Sequence, residues 1–517
     1  MIWPSLGVVL LVLLLGPSLF AAERADLLAE GKAAYERHCV SCHGPEGKGD
    51  GPAAYLLYPK PRNLRSGSFR IVSTWEGVPT DDDILSVLRR GMPGSAMPSW
   101  GHLPEGTLRA LVAYVKSLRE KPFVVPETRP AEEGGRGAGV ILVPDEPAYG
   151  APEEARAKEL FAEACASCHG ATGRGDGAEE QFDEDGYPIR PRDFWSGVFK
   201  GSPEPESLYR RIVAGMPGTP MPSSDWAYGE DAWHLVHYIL SLSSPRQRER
   251  AEMRRFTILA KRVERLPQHP DDGLWARAPK VDLHLMPLWW RPNRPETVTV
   301  RAVHDGKSIA FLLVWSDLTH DSTAMRPQDF RDAAAIQFAT DRDPPFFAMG
   351  SPGKPVNIWM WKAERQADLE VTFQDLEKVY PNLGIDSYPN FLKSPLEQPH
   401  RHALTLDSDP TFVTAWGAGN IVADPTFASA AEDLWAEGFG TLRARSRSEQ
   451  QVKAQGVYGV GSYRVLFRRE LRGKGKHAVS LRPGSKTSVA FAVWDGAEGD
   501  RDGKKSVTIW QELELEK

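Results

Sequence analysis

All four cysteines of the chain lie in two pentapeptides, Cys39-Val40-Ser41-Cys42-His43 and Cys165-Ala166-Ser167-Cys168-His169, which stand 126 residues apart. Both fit C-x-x-C-H, the attachment signature of c-type haem. Two thiols three positions apart on a helical turn can form thioethers to the two vinyl groups of one porphyrin, and the adjacent imidazole then reaches the iron. A zinc site would need further Cys or His ligands, and a dithiol redox pair would not need the His. The pattern predicts two covalent haem c groups, held by Cys39 and Cys42 and by Cys165 and Cys168, with His43 and His169 as axial ligands.

The repeat extends beyond the cysteines. Gly47-Lys48-Gly49-Asp50-Gly51 returns as Gly173-Arg174-Gly175-Asp176-Gly177 at the same offset of 126. Pro61-Arg62-Asn63-Leu64 returns as Pro191-Arg192-Asp193-Phe194 at an offset of 130, so the second copy carries a loop four residues longer. Gly91-Met92-Pro93-Gly94 and Met97-Pro98-Ser99 return as Gly215-Met216-Pro217-Gly218 and Met221-Pro222-Ser223 at an offset of 124. This is a tandem duplication of one domain.

A chain of 517 residues has room for about three to four domains. With 41% hydrophobic residues, 26% charged residues and a mean hydropathy of -0.40, it is neither a polytopic membrane protein nor wholly disordered. The net charge of -6 lacks the basic excess that captures nucleic acid. Residues 1–22 carry no charged side chain, and the apolar run from Gly7 to Leu15 followed by Gly16, Pro17 and Ser18 reads as an export signal. The missing n-region Lys or Arg leaves an uncleaved membrane anchor as the other reading. Either way the rest of the chain is expected in the periplasm, as a soluble or N-terminally anchored protein.

Each copy resembles the small class I cytochrome c fold. An aromatic residue stands four positions before the first Cys, Tyr35 and Phe161, on a first helix. A final amphipathic helix carries Leu108, Leu111, Val112, Val115 and Leu118 in one copy and Leu235, Val236, Ile239 and Leu242 in the other. The resemblance implies that the first and last helices cross and that a Met supplies the sixth ligand, which raises the potential. Met97 and Met221 are the expected ligands because they lie nearer the last helix; Met92 and Met216 are the alternatives, otherwise pocket lining. Arg62 and Arg192 are candidates to hold haem propionates, against solvated loop arginines.

The boundaries follow: 23–120 for the first cytochrome c domain, 121–151 for a Pro- and Gly-rich linker, 152–245 for the second, and 246–270 for a charged helical linker. Residues 271–517 alternate β-branched and aromatic residues between Asp-Gly turns and read as a mainly β sandwich of about seven to ten strands. Ala363 to Arg443 reads as a long, partly helical insertion. The fold class is thus multidomain, two all-α cytochrome c domains followed by a β sandwich.

This last part resembles the haem b binding domain of the gamma subunits of the dimethyl-sulfoxide-reductase family, as in ethylbenzene dehydrogenase and its nitrate, chlorate and selenate relatives. The resemblance rests on Ala302-Val303-His304-Asp305-Gly306, Val314-Trp315-Ser316-Asp317, Met349-Gly350 before Val356-Asn357-Ile358-Trp359, Ala490 to Gly496, and Lys505-Ser506 before Trp510. It implies a non-covalent haem b with Met349 and Lys505 as its axial pair, with Met360, Lys453 and Lys504 as alternatives. Strand alternation places Lys505 on the face of Val507 and Ile509, at the start of the last strand. The implied function is an exported electron-transfer subunit without catalysis of its own. Its partners would be the catalytic and iron-sulfur subunits of a molybdenum enzyme and other cytochromes or a quinol-oxidising complex. Two other readings stand beside it. One is a di-haem peroxidase, which would need a displaceable axial ligand. The other is a di-haem cytochrome with a carbohydrate-binding module, for which Trp289-Trp290 is the candidate platform.

Overall fold

The computed structural model describes residues 7–131, 136–346, 348–370, 379–382 and 427–517, with single residues between 415 and 424; of residues 7–21 only the backbone is described. The chain falls into two compact units, residues 1–252 and 253–517.

In the first unit the two copies repeat one helical plan. The first copy contains α1 (Gly7–His38), the single turn α2 (Val40–His43), α3 (Asp81–Arg90) and α4 (Glu105–Ser117); the second contains α5 (Ala151–Ala164), α6 (Ala166–His169), α7 (Pro205–Ala214) and α8 (Glu230–Ser241). As expected, α1 packs on α4 and α5 on α8. Gly31 makes the first crossing close, since a Cβ there would stand 2.1 Å from the Ala110 carbonyl oxygen. Tyr35 lies one turn further on with its ring 5.2 Å from that of Tyr114. Thr80 and Asp83 form a capping box that starts α3. Gly91 and Gly215, both at positive φ, end α3 and α7 and open the two methionine loops. The side chains of residues 1–21, on which the expected export signal falls, lie outside the described residues. Among the described residues no helix is long and apolar enough to cross a membrane.

Two expectations about linkers need correction. The end of the 121–151 segment is a packed strap: Ile141 is fully buried, its N–H bonds the Ser73 carbonyl, and the Trp75 N–H bonds the Gly139 carbonyl. Helix also occupies little of 246–270. Only α9 (Pro245–Arg250) is helical, capped by Ser244, and a strand follows at Thr257–Arg262. The many charges of this stretch conceal a period of two, in which Ile258 and Ala260 point into the core while Lys261 turns outward to Glu516.

That strand is β1 of the second unit. It is followed by β2 (Val281–His284), β3 (Met286–Pro287), β4 (Thr297–His304), β5 (Ser308–Ser316), β6 (Ala333–Ala339) and β7 (Val356–Lys362). Then come the short helix α10 (Ala363–Leu369), β8 (Ala431–Ala436), β9 (Arg443–Ala444), β10 (Lys453–Tyr458), β11 (Ser462–Glu470), β12 (Lys486–Trp494), β13 (Ser506–Val507) and β14 (Gln511–Leu515). The main path of the sheet runs β10-β11-β5-β4-β1-β14-β12-β6-β7-β8-β9, with β1 parallel to both its neighbours. The sheet folds over on itself as a sandwich, because Phe311 of β5 touches Phe338 of β6 and Trp359 of β7, four strands and more away along the path. The expected insertion from 363 to 443 thus contains a strand of the sheet, β8, whose partner β7 lies more than sixty residues earlier. The last strand is β14, with β13 only two residues long.

Candidate haem sites

In the first copy, α1 ends as the Cys39 N–H bonds the Tyr35 carbonyl, and α2 then carries Cys42 and His43 on one turn. The Tyr35 hydroxyl donates to the Gly44 carbonyl at 2.8 Å and fixes the exit of that turn. His43 Nδ1 lies 2.9 Å from the Arg62 carbonyl oxygen. A carbonyl only accepts, so Nδ1 carries the proton and Nε2 keeps its lone pair, as a metal ligand requires. Burial also lowers the His43 pKa, which favours the neutral ring. His169 occupies the same place in the second copy, stacked on Phe194 at 4.7 Å; burial and then the Lys200 charge bring its pKa down to about 4. None of the four cysteines forms a disulfide, and burial pushes Cys39 and Cys42 up to about 12. Two free thiols and a neutral imidazole on one turn fit covalently attached haem in both copies.

The two methionine loops are built alike. The Met92 N–H bonds the Met97 carbonyl at 3.0 Å, and the Met216 N–H bonds the Met221 carbonyl at 3.1 Å. Ser95 and Thr219 hydroxyls donate to the Met92 and Met216 carbonyls. Each loop brings its two methionines to adjacent positions, so Met92 and Met216 stay beside Met97 and Met221. Neither copy has lost the loop, which a displaceable-ligand peroxidase site would call for.

Arg62 and Arg192 are not solvated. Arg62 pairs with Glu184 and Asp185 in the longer loop of the second copy. Arg192 donates to the Pro93 carbonyl at 2.6 Å and the Gly94 carbonyl at 3.2 Å. Each side chain therefore reaches across to the other copy.

In the β unit, Lys505 Nζ lies 3.8 Å from Met349 Sδ, although the two are 156 residues apart. Met349 sits at φ 64, its N–H bonded to Gln337 and its carbonyl accepting from the Gly438 N–H. This left-handed position is uncommon for a side chain of that size, and strain of this kind gathers at ligand sites. Lys505 is buried with its ammonium 4.8 Å from the Trp494 ring, and burial brings its pKa down to about 8. Around the pair lies a second apolar cluster on the outer face of β6, β7, β8 and β12, floored by Ala333, Ala335, Ala436 and Ala492 with Ile358 and Trp494 beside them. A soft thioether and an amine brought together beside an apolar surface of small side chains are a donor set that suits a haem iron. The sequence signal for that surface was the run of alanines in β6 and β12, which alternation alone reads as ordinary core.

Alternation was also not what buries Lys505. Residues 505–509 are all buried, on both faces, because the segment is covered on each side, so period two does not separate Lys505 from its neighbours. Met360 lies on the outer face with Met349 and not in the inner core. Lys504 donates to the Glu498 carbonyl and Lys453 is exposed. Trp289 and Trp290 are half-buried, and the Arg294 guanidinium lies over the Trp290 ring at 5.6 Å.

A further group went unforeseen. Asp317, Asp332 and Asp495, from three distant segments, bring carboxylate oxygens within 4.8 Å of one another in the interior. Burial first, and the Asp317 charge second, raise Asp332 to about 7 and Asp495 to about 6.

Comparison with known proteins gives a family for each part. Residues 272–506 match the ethylbenzene dehydrogenase family, residues 26–115 the family of cytochrome c oxidase cbb3-type subunit III, and residues 154–243 the cytochrome c family. The dimethylsulfide dehydrogenase gamma subunit of Rhodovulum sulfidophilum is 26% identical over 47% of this chain and 74% of its own length. A protein of Haloferax mediterranei described as a respiratory nitrate reductase heme subunit is 25% identical over 48% of this chain and 68% of its own. The chlorate reductase gamma subunit of Ideonella dechloratans is 22% identical over 47% of this chain and 77% of its own. The chain thus carries two successive cytochrome c domains followed by a domain that matches the ethylbenzene dehydrogenase family.

Proposed function

We propose that the protein is an exported three-haem electron-transfer subunit, with two haem c in the helical unit and one haem b in the β unit, serving a molybdenum oxidoreductase. Bound haem supplies a one-electron couple at each site. The chain's own residues set the rest. The Arg62 carbonyl holds His43 in the tautomer that leaves Nε2 free, and the paired methionine loops present a soft thioether, with Met97 and Met221 as the ligands. Met349 and Lys505 hold the haem b, and Lys505 enters as the neutral amine that its burial already favours. The observation that carries the haem b reading is the approach of Lys505 Nζ to Met349 Sδ at 3.8 Å above an alanine floor. The relatives, which are named as subunits of dimethylsulfide dehydrogenase, chlorate reductase and a nitrate reductase, support a partner of that kind. Electrons would pass between that enzyme and a respiratory-chain cytochrome or quinol-oxidising complex. The apolar segment at residues 1–22 supports export to the periplasm.

A quantitative pyridine haemochrome spectrum tests this reading, because haem b and haem c have separate bands. The purified chain should give two c to one b. Lys505→Ala should lose the b fraction, or turn it high-spin, while both c bands stay intact. Two c and no b in the unaltered protein would reduce the reading to a di-haem cytochrome, and an unchanged b spectrum in the variant would exclude Lys505 as the ligand.

A further inference from the structure

We infer that Arg192 and Glu184 of the second cytochrome copy are positioning residues for the methionine loops: Arg192 holds the loop of the first copy, and Glu184 holds that of its own copy while tying it to Arg62 of the first. The two haem c centres are then tuned as a pair. This rests on the haem c reading of both copies and adds to it a specific cross-copy connection.

Gly94 follows the Met92-Pro93 pair of the first copy and Gly218 the Met216-Pro217 pair of the second. Gly94 and Gly218 both have positive φ, 73° and 70°. A Cβ at Gly94 would stand 2.6 Å from Arg192 Nη1, and one at Gly218 would stand 2.7 Å from Glu184 Oε1. Each methionine loop is thus closely approached by the end of a charged side chain, which would have to shift if the glycine carried a Cβ. At the first loop the guanidinium donates to the Pro93 and Gly94 carbonyls, at 2.6 and 3.2 Å, between Met92 and Met97. At the second, the Glu184 N–H bonds the Gly218 carbonyl at 3.2 Å, while the Glu184 carboxylate accepts from Arg62, from the Ser68 N–H at 2.8 Å and from the Ser68 hydroxyl at 2.7 Å.

Glu184 belongs to the four-residue excess of the second copy, and that excess is a small hairpin closed by the Phe182 and Pro188 bridge. The first copy grips this hairpin at several points. Arg70 pairs with Asp183 at 2.8 Å with both side chains largely buried, and the Tyr58 hydroxyl donates to the Pro188 carbonyl. A surface insertion would show none of this. Charge-assisted bonds with little exposure have more effect on position than exposed ion pairs do. Because a methionine loop fixes the distance and angle of its thioether, a bond on its backbone from the other copy reaches the iron's ligand field without touching the haem.

The test uses the full-length holoprotein with both covalent haems confirmed by haem staining. The two axial methionines give separate high-field proton signals in the reduced protein, assigned by substituting Met97 and Met221 in turn. Arg192→Leu should shift the methionine signal and midpoint potential of the first copy and leave those of the second in place; Arg192→Lys, which keeps a donor, should restore part of the shift. Glu184→Gln, which weakens the Arg62 and Ser68 bonds that hold the hairpin whose N–H reaches Gly218, should move the second copy's signal. A shift confined to the second copy in Arg192→Leu would make Arg192 a holder of its own haem's propionate and overturn the inference. Unmoved signals in both Arg192→Leu and Glu184→Gln would overturn it as well. Loss of covalent haem from the unaltered protein would instead sink the haem c reading on which it rests.

Discussion

At the scale of single residues, what decides function in this chain is how each donor or charge is held. A carbonyl fixes the tautomer of His43, and burial lowers the pKa of Lys505 to about 8, so its ammonium gives up a proton more readily than an exposed one does. The buried carboxylates Asp317, Asp332 and Asp495 show the same physics acting against stability. Raised pKa values mean that the folded state keeps protons which an unfolded chain releases near pH 4. Between about pH 4 and 7 the unfolded state therefore binds fewer protons, and stability of the β unit falls as pH rises, reaching its floor above the folded value of about 7 for Asp332. Asp495→Asn keeps an oxygen for the Glu498 N–H and removes one charge from the cluster. It should stabilise the β unit by about 1–2 kcal/mol at pH 8 and by little at pH 4.5. Denaturant unfolding followed by the tryptophans of that unit reads the difference, and a loss of stability at both pH values would refute it. Local motifs such as Cys39 to His43 were legible because every participant is within five residues. The carboxylate cluster was not, because its members stand just after β5, just before β6 and just after β12.

Among elements, helices were easier to read than strands, and the reason is the range of the contacts that make them. The crossing of α1 and α4 follows from an apolar stripe on each helix and from Gly31 at the point of closest approach. The corresponding residue in α5 is Ala157, which is fully buried, so the second copy accommodates a methyl group where the first does not. Gly31→Ala gains about 1 kcal/mol of helix propensity, but its Cβ meets the Ala110 carbonyl and the Tyr114 Cβ, neither of which is the free end of a side chain. Overpacking should win, with a net loss of about 1–3 kcal/mol for the first copy and a wider helix crossing. Ala157→Gly should cost about 1–2 kcal/mol, from helix propensity together with the loss of a buried methyl group. Thermal unfolding monitored at each haem distinguishes the two, and a neutral or stabilising Gly31→Ala would show that the crossing has slack. Strands β1 and β8 escaped sequence reading for the opposite reason. β1 lies between β4 and β14, the second of them 255 residues on, and β8 joins the sheet through β7, more than sixty residues earlier; a six-residue segment with lysine, arginine or acidic residues in it carries too weak a period of two to stand alone. The sandwich itself was visible from repeated alternation between Asp-Gly turns, which needs no knowledge of pairing.

For the molecule as a whole, the division at residue 252 separates two cores that share no residue, one of helices and one of folded sheet. Each unit buries its own apolar surface, so each has the means to fold alone. With a net charge of only -6, recognition of a partner enzyme cannot rest on overall charge and is expected to use a local surface of the β unit, the part shared with the gamma subunits of other enzymes. A chain ending at Glu252 should carry two covalent haems, remain reducible, show no haem b band and fail to copurify with a molybdenum oxidoreductase. The place of the cut matters. Glu252 pairs with Arg90 at 2.7 Å, and Arg90 in turn donates to the Phe199 and Gly201 carbonyls, so it joins the end of α3 to the second copy. A chain ending at Arg250 leaves that largely buried guanidinium without its carboxylate and should be less stable than the 252-residue fragment by about 1–3 kcal/mol, measured by thermal unfolding of the two side by side. A haem b band in the longer fragment would refute the placement of that haem in the β unit. Retained copurification would move the docking surface to the cytochrome domains, and the β unit would then serve the chain only as the holder of its third haem.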